Sequence, residues 1–391
     1  MSAARGPARR VLVVPKWYPT PARPAFGAFC RDHALALSTR NEVVVMASYA
    51  LRNPPFACFA IEERIEDGLR TIRIRYRRMG LRAGALLCQA AGMLEALRRL
   101  RHEGFDPQVI HAHVYSAGLP ALLLGRICRA PVVVSEHYTG FARGLIGGYE
   151  RVLARIAFEG ADLVAPVSAD LAAQLRPIAP AARYAVVPNA VDTDLFYPAR
   201  LGQGASGHSG SSLIAVGALA RKKGHLHLLE ALALMRRREP ERDLRLTLVG
   251  DGELSGELRA AARALGLQER VRFLGEQERT GVAEAMRSAD LLVLPSLHEN
   301  LPCVLLEALA SGLPFVASAV GGIPELLADE PVRGACRIAQ PGNPQALAGA
   351  ISEALARSER IDRERLAGYA RARFGYDAVA QRWETIYGML R

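Results

Sequence analysis

The stretch ADLLVLPSLHENLPCVLLEALASGLPFVASAVGGIPE, residues 289–325, decides how the rest of the chain is read. An apolar run from Leu291 to Leu294 stops at Pro295-Ser296, and a carboxylate, Glu299, follows in a short polar loop. Pro302 then opens an apolar segment patterned as a helix and carrying a second carboxylate, Glu307. A further apolar run, Pro314 to Ala317, precedes the turn Gly321-Gly322. The order is strand, loop, helix, strand, loop, with two acids eight positions apart on either side of a helix start.

Proline suits the first helical position because its missing N–H has no intrahelical partner there in any case. The remaining amides of such a first turn, those of Cys303 and Val304, form an anion site reinforced by the helix dipole. Glu307, little more than one turn further in, can accept hydrogen bonds from sugar hydroxyls through two oxygens. A phosphate at the helix mouth and a ribose on Glu307 together describe a nucleotide. Glu299, with Asn300 and Leu301 beside it, faces whatever the phosphate carries. Both acids follow a predicted parallel strand, at the carboxyl edge where open α/β sheets bind ligands.

The segment resembles the E-x7-E donor-site motif of family 4 glycosyltransferases, with Glu299 and Glu307 matching its two acids and L-P-S and G-G-I-P-E matching its flanks. The resemblance runs from the first strand to the last helix. It implies an α/β GT-B fold, two Rossmann-like doubly wound parallel-sheet domains facing a central cleft.

The 391 residues, half of them hydrophobic, suit two α/β domains better than one. No apolar run approaches the ~20 residues that span a bilayer. The N-terminal VLVV is shorter than a secretory core of ~7–15 residues, so a cytoplasmic protein is expected. Six scattered cysteines (Cys30, Cys58, Cys88, Cys128, Cys303, Cys336) form no C-x-x-C pair and suggest neither a zinc site nor a disulfide framework.

The formal net charge is +11. Residues 1–198 carry 25 Arg+Lys against 16 Asp+Glu, and the remainder 25 against 23. The segment LRTIRIRYRRMGLR concentrates Arg70, Arg73, Arg75, Arg77, Arg78 and Arg82. Alternation with Ile72, Ile74 and Tyr76 reads as a half-buried strand with a cationic outer face. That face is either a charge-protected edge or a surface for anionic lipid or a pyrophosphate-bearing acceptor. No nucleic-acid motif accompanies it.

Apolar runs at 11–14, 43–46, 109–113, 132–135, 163–166 and 184–187 read as strands of the first half, with helices between. The Gly/Ser-rich run after Pro198 reads as a connector. Runs at 213–216, 246–249, 271–274, 291–294 and 315–318 restart the pattern. The expected division is an acceptor-binding domain at 1–190, a hinge and connector at 191–212, a nucleotide-sugar domain at 213–372, and a helix at 373–391. In the resembled family that helix crosses back to the first domain, and Trp383 and Tyr387 fit its W…Y pattern.

Gly217 and Gly224 bracket a loop leading into a helix, with Arg221, Lys222 and Lys223 just before the helix start. Only three lysines occur in the chain, Lys16, Lys222 and Lys223, so the adjacent pair suggests a site that wants compact point charges. The family's G-R-L-x-x-x-K-G has its lysine at Lys223 but Ala218 at the arginine, so Arg221 or Lys222 is left to neutralise the distal phosphate. Gly250-Asp251-Gly252 resembles a family turn but fails as a dinucleotide fingerprint because Ser255 stands where a glycine is needed. Gly275 to Gln277 lie where relatives border the base.

In the first half a Pro-rich loop carrying Lys16 and Trp17 leads to Gly27, which would admit a close approach of phosphate or acceptor. His111, His113 and His137 end predicted strands. The resemblance places His137 near the transferred sugar and His113 on the acceptor side. Asp192-x-Asp194 resembles the interdomain P-N-G-V-D segment, in which Asn189 and Asp192 are expected to bond local backbone.

The resemblance implies a retaining, metal-independent transfer from a nucleotide-diphosphate sugar, with no cofactor, to a saccharide or polyprenyl-linked acceptor, as in bacterial surface polysaccharide assembly. Catalytic roles would fall to Glu299, His137 and Lys223. A nucleotide-sugar epimerase or phosphorylase on the same scaffold, and a non-catalytic or nucleic-acid-binding protein, remain open on the sequence.

Overall fold

A computed structural model describes residues 8–52, 54–78, 82–199 and 210–390, with backbone alone at 82, 83 and 359. The expected connector therefore falls largely outside the described residues, and β8 already begins at Ser211. The chain divides into two compact units, residues 1–189 with 376–391, and residues 190–375.

The first unit is built on a seven-stranded sheet: β1 Arg10–Pro15, β2 Glu42–Leu51, β3 Phe59–Glu66, β4 Leu69–Arg77, β5 Val109–His113, β6 Val132–Glu136 and β7 Leu163–Pro166, in the order β3-β4-β2-β1-β5-β6-β7. All pairs are parallel except β3 with β4. Strands covered by helices on both faces must be apolar throughout, and Val11, Leu12, Val13 and Val14 of the central β1 are indeed buried. Chain order reverses between β1 and β5, so the loops after those strands flank the switch point at which such sheets take ligands.

The second unit holds six parallel strands: β8 Ser211–Val216, β9 Leu244–Val249, β10 Val271–Gly275, β11 Leu291–Leu294, β12 Phe315–Ser318 and β13 Arg337–Ala339, in the order β10-β9-β8-β11-β12-β13. Its switch point lies between β8 and β11, so the loop with Lys222 and Lys223 and the loop with Glu299 are neighbours by topology.

The closing helix, Tyr376–Gly388, belongs to the first unit. Trp383 is fully buried, Arg40 holds Asp377 through two hydrogen bonds of 3.0 Å, and Arg9 reaches Glu384 at 2.8 Å.

Two expectations need correction. The run at 184–187 forms no strand: Ala185 N and Val187 N donate to β7 carbonyls, but only the single bridge Val164–Tyr184 forms. Pro188 follows and Val186 is 41 % exposed, so the segment runs beside β7 without the continued pairing and cover of a strand. The arginines of β4, in turn, do not form an open cationic face. An unanticipated acidic strand, β3, is the sheet edge and lies antiparallel over them. Glu66 grips Arg73 at 2.5 and 2.6 Å, Glu63 takes Arg70 at 2.5 Å, and Arg77 donates to the carbonyls of Pro54 and Phe56. Arg73 is only 7 % exposed. The turn between the strands, Asp67-Gly68, has both residues at positive φ (48° and 80°), the hairpin signal an Asp-Gly pair provides.

Removing one partner of a buried charge pair leaves the other uncompensated, at a cost of about 3 kcal/mol or more. Glu66→Ala should therefore lower unfolding free energy by about 3 kcal/mol, measured by urea denaturation, whereas Glu62→Ala, whose carboxylate sits 3.8 Å from a half-exposed Arg75, should cost under ~1 kcal/mol.

Candidate active site

In the second unit the loops at the carboxyl edge of the sheet are knit backbone to backbone. Leu297 N donates to Lys222 O at 2.7 Å, Leu219 N to Asp251 O at 3.0 Å, and Gly322 N to Asn300 O at 2.7 Å. Such close approach leaves no room for side chains. A Cβ on Gly224 (φ 65°) would lie 2.1 Å from Pro295 O, and one on Gly321 (φ 56°) 2.1 Å from Glu299 O. Arg221, Lys222 and Lys223 form one 3-10 turn, with Arg221 exposed and both lysines half-buried.

The turn and the Glu299 loop meet through one ion pair. Lys223 Nζ donates to Glu299 Oε1 at 2.6 Å, and Ser296 Oγ donates to the same oxygen at 2.8 Å. Glu299 is buried, at 7 % exposure. The helix after it runs Cys303–Ala310, with Pro302 as the flanking cap residue, one position earlier than its expected place inside the helix. The difference follows from Pro302 keeping an extended ψ of 126°, since its ring fixes only φ. Cys303, Val304 and Glu307 are half-buried and Asn300 and Leu301 buried. Gly217 (φ 150°) follows β8 and approaches Lys223 Cε. Gly275 (φ 71°) ends β10 and receives Gly250 N on its carbonyl, while Gln277, exposed, folds back on Leu274 O at 2.9 Å. The exposed Ala218 supplies no charge where the resembled motif has arginine. The structure thus brings Lys223 and Glu299 together directly, and places the other expected donor residues on loops of the same sheet edge.

The first unit gathers imidazoles. His137 Nδ1 bonds Asn189 Oδ1 at 3.0 Å, and His137 Nε2 meets His113 Nδ1 at 3.0 Å. If Asn189 Oδ1 is the acceptor, His137 carries its proton on Nδ1, His113 donates from Nδ1, and His113 Nε2 is left a buried lone pair. His111 bonds Tyr387 Oη at 2.7 Å and Ser135 Oγ at 2.8 Å. His33, on the helix Ala28–Ser38, packs edge-on against His113 and His137. Asn189 has a histidine side chain among its partners, which the sequence did not suggest; Asp192 caps its own turn as expected, accepting from Asp194 N and Leu195 N.

Trp17 stands edge-on to Phe26, Phe29 and Tyr138, while Lys16, exposed, is tied by its backbone to His113 O at 3.1 Å. Gly27 (φ 76°) is a glycine because the Trp17 backbone lies 2.5 Å from where a Cβ would stand. That steric reason is intramolecular and needs no ligand.

Sequence reasoning passed over Glu136. Its buried carboxylate accepts three backbone N–H bonds of 2.8 Å, from Tyr115, His137 and Tyr138. Val114 between β5 and its helix has φ 75°, a strained value for a β-branched residue. Glu136 and the bond Val114 N to Ser135 O (2.7 Å) hold that strand end, and with it His113 and His137. The signal was an acid inside the otherwise apolar, strand-ending S-E-H, since a buried carboxylate needs donors.

With this geometry in view, comparison with known proteins is decisive. Residues 210–357 match the family described as glycosyl transferases group 1, and residues 27–195 match glycosyltransferase family 4. The D-inositol 3-phosphate glycosyltransferase of Segniliparus rotundus is 30 % identical over 328 residues, 77 % of this chain and 71 % of that one. The chain belongs to the group 1, family 4 glycosyltransferases. A second D-inositol 3-phosphate glycosyltransferase, from Pseudarthrobacter chlorophenolicus, is 31 % identical over 254 residues. That match covers 58 % of this chain and 57 % of that relative's length. Among solved structures, Anabaena HepE in complex with UDP and glucose shares the fold, with a TM-score of 0.73 at 20 % identity over 98 % of this chain and 100 % of that one.

Burial holds four clustered imidazoles of the first unit neutral: His33 falls to about 4, and His111, His113 and His137 fall well below the ordinary 6.5, with their neighbours' imidazoles adding to the effect in the latter three. The unfolded chain takes up these protons near pH 6.5, so it binds more protons than the folded one below that pH. Their contribution is present above pH 6.5 and lost as pH falls toward 4. Glu136, raised by burial to about 7 against its three backbone donors, acts in the opposite sense between about pH 4.5 and 7, one group against four. Urea midpoints should therefore drop steeply from pH 7 to pH 5, and His113→Asn should flatten that slope.

Proposed function

We propose that this glycosyltransferase moves a sugar from a nucleotide-diphosphate donor, held by the second unit, to a saccharide or lipid-linked acceptor bound by the first, with retention and without a metal ion. The observation that carries the reading is the buried pair Lys223–Glu299 at 2.6 Å. It holds one cation and one carboxylate, from the loops after β8 and β11, at the sheet's switch point. An arriving diphosphate takes over Lys223, and Lys222 and the first turn of Cys303–Ala310 add positive potential as the leaving group gains charge. Glu299, released from the ammonium, is free to accept from a sugar hydroxyl, and Glu307 accepts from the ribose. Family membership supports transfer over epimerisation, and HepE's complex with UDP and glucose supports a uridine donor.

The acceptor reading rests on charge. The first unit carries 27 Arg+Lys against 16 Asp+Glu, and the second 23 against 23, so the whole +11 excess lies on the proposed acceptor side. A phosphate-bearing acceptor fits that excess, in keeping with the name of the two D-inositol 3-phosphate relatives.

Any membrane surface must lie elsewhere than β4. On the helix Gly148–Gly160, Tyr149, Val152 and Ile156 are each at least half exposed, flanked by Arg151 and Arg155. Apolar side chains set among cations match an interfacial, anionic lipid surface, as in bacterial envelope polysaccharide synthesis. Among the described residues no helix is long and apolar enough to cross a membrane.

UDP, GDP, ADP and CDP should be compared by thermal shift in EDTA. One base at about 100 times its dissociation constant should add about 2.7 kcal/mol of stability, and Glu307→Ala should abolish the shift. No shift with any base would sink the donor site. With the matching nucleotide-sugar, Lys223→Ala should lower kcat about 10²–10³-fold, and EDTA should leave wild-type turnover unchanged. Val152→Glu with Ile156→Glu should abolish sedimentation with anionic vesicles at low salt; sedimentation unchanged by that pair removes the membrane surface from the proposal.

A further inference from the structure

Cys58 and Cys88, distant in sequence and unrelated by any motif, stand with their sulfurs 2.8 Å apart in the first unit. Both are free thiols in the structure. Cys58 immediately precedes β3, and its carbonyl accepts from Arg77 N at 2.8 Å, so the backbone there is fixed by β4. Cys88 lies on the helix Arg82–His102, which is fastened to the sheet just after it. Gln89 Nε2 donates to Ser48 Oγ of β2 at 2.8 Å, and Gly92 sits so flush on the sheet that a Cβ there would lie 2.6 Å from Ile74 and 3.2 Å from the Phe59 ring. Two anchored elements therefore present the sulfurs to one another, less than 1 Å beyond the ~2.05 Å of a bonded pair.

We propose that Cys58 and Cys88 form an oxidation site: a dithiol that a low-molecular-weight disulfide converts to an intramolecular disulfide, pinning the acidic strand β3 to its covering helix. The accessibilities set the order. Cys58 is half-buried, whereas Cys88 is 5 % exposed. The Cys58 thiolate attacks one sulfur of the external disulfide and releases the first small thiol. The Cys88 thiolate then attacks Cys58 Sγ, forming the Cys58–Cys88 bond and releasing the second. The protein loses two S–H bonds and gains one S–S, and the external disulfide takes up two electrons and two protons. The hydrogen bond that the Cys58 thiol donates to Cys88 Sγ, together with the burial around the pair, holds the Cys58 thiol above its usual range, so the first step quickens with rising pH. The ring so closed runs from residue 58 to residue 88 and contains the whole β3–β4 hairpin with the Arg70 and Arg73 ion pairs, which restricts the unfolded chain.

The test uses the full chain, fully reduced and then held in oxidised glutathione. Thiols are counted after denaturation, the cross-link is mapped by peptide mass, and thermal midpoints are compared. The expected result is a fall from six thiols to four, a single 58–88 linked peptide, a midpoint raised by several degrees, and full reversal by dithiothreitol. Cys58→Ser and Cys88→Ser, each isosteric enough to keep the fold, should each remove the linked peptide and the stabilisation, while Cys128→Ser should remove neither. Persistence of all six thiols, a glutathione adduct on Cys58 that Cys88 does not displace, or thiol loss indifferent to Cys58→Ser would each overturn the proposal.

Discussion

The pairing of Lys223 with Glu299 is the interaction on which the second unit is organised. Two opposite charges, 16 % and 8 % exposed at their side chains, are drawn out of water at the end of a parallel sheet. Desolvation of both is costly and is recovered only with good geometry and further hydrogen bonds. Ser296 supplies one such bond, and the backbone bond from Leu297 to Lys222 fixes the two loops in register. The glycines at 224 and 321 then follow as necessities, since any side chain there would force the loops apart. The pair is an arrangement with an obvious substitute partner on each side, an anion for the lysine and a hydroxyl for the carboxylate.

The first unit solves the equivalent problem without charge. Its strand ends carry neutral imidazoles stacked in a dry interior, His111 on His113 at 4.6 Å and His113 on His137 at 5.2 Å between ring centroids. The buried carboxylate adjoining His137 in the chain, Glu136, is turned to backbone amides. It therefore fixes where the histidines stand without lending them a proton acceptor. The cluster keeps donor and acceptor atoms in a defined tautomeric order, at the expense of tolerance to acid.

What was legible in the sequence was local. The buried strands β1, β7 and β11 are continuous apolar runs between turn residues, and their length and flanks locate them. The E-x7-E spacing, the paired lysines and the closing W…Y helix are likewise carried by near neighbours. What was not legible depends on partners far along the chain. β3 reads FAIEERIE, with too many charges for an apolar strand, and becomes intelligible only when its glutamates meet the arginines of β4. The run at 184–187 has the composition of a strand, but beside β7 it forms only a single bridge before Pro188 ends it. Asn189 looks like a turn residue and is recruited by His137, 52 positions away. Cys58 and Cys88 are 30 positions apart and reveal nothing until a helix is laid on a sheet.

The choice of cation joins these observations. Arginine supplies nearly all positive charge in the chain, and on β4 it is held at several points at once. Arg73 gives two nitrogens to Glu66 and shares one of them with Pro19 O, and Arg77 spreads over two carbonyls. A planar fork bound at several points is slow to be exchanged and suits a structural pair. The ammonium of lysine is a point charge on a flexible stem, and it can leave one oxygen for another by rotating a few bonds. Two of the three lysines sit side by side where, in the function proposed, a cation changes partners between a protein carboxylate and an incoming anion. The third, Lys16, stands exposed on the loop after β1 at the other unit's switch point. The residue type that the chain otherwise avoids is thus confined to the loops where the sheet topology leaves room for a ligand.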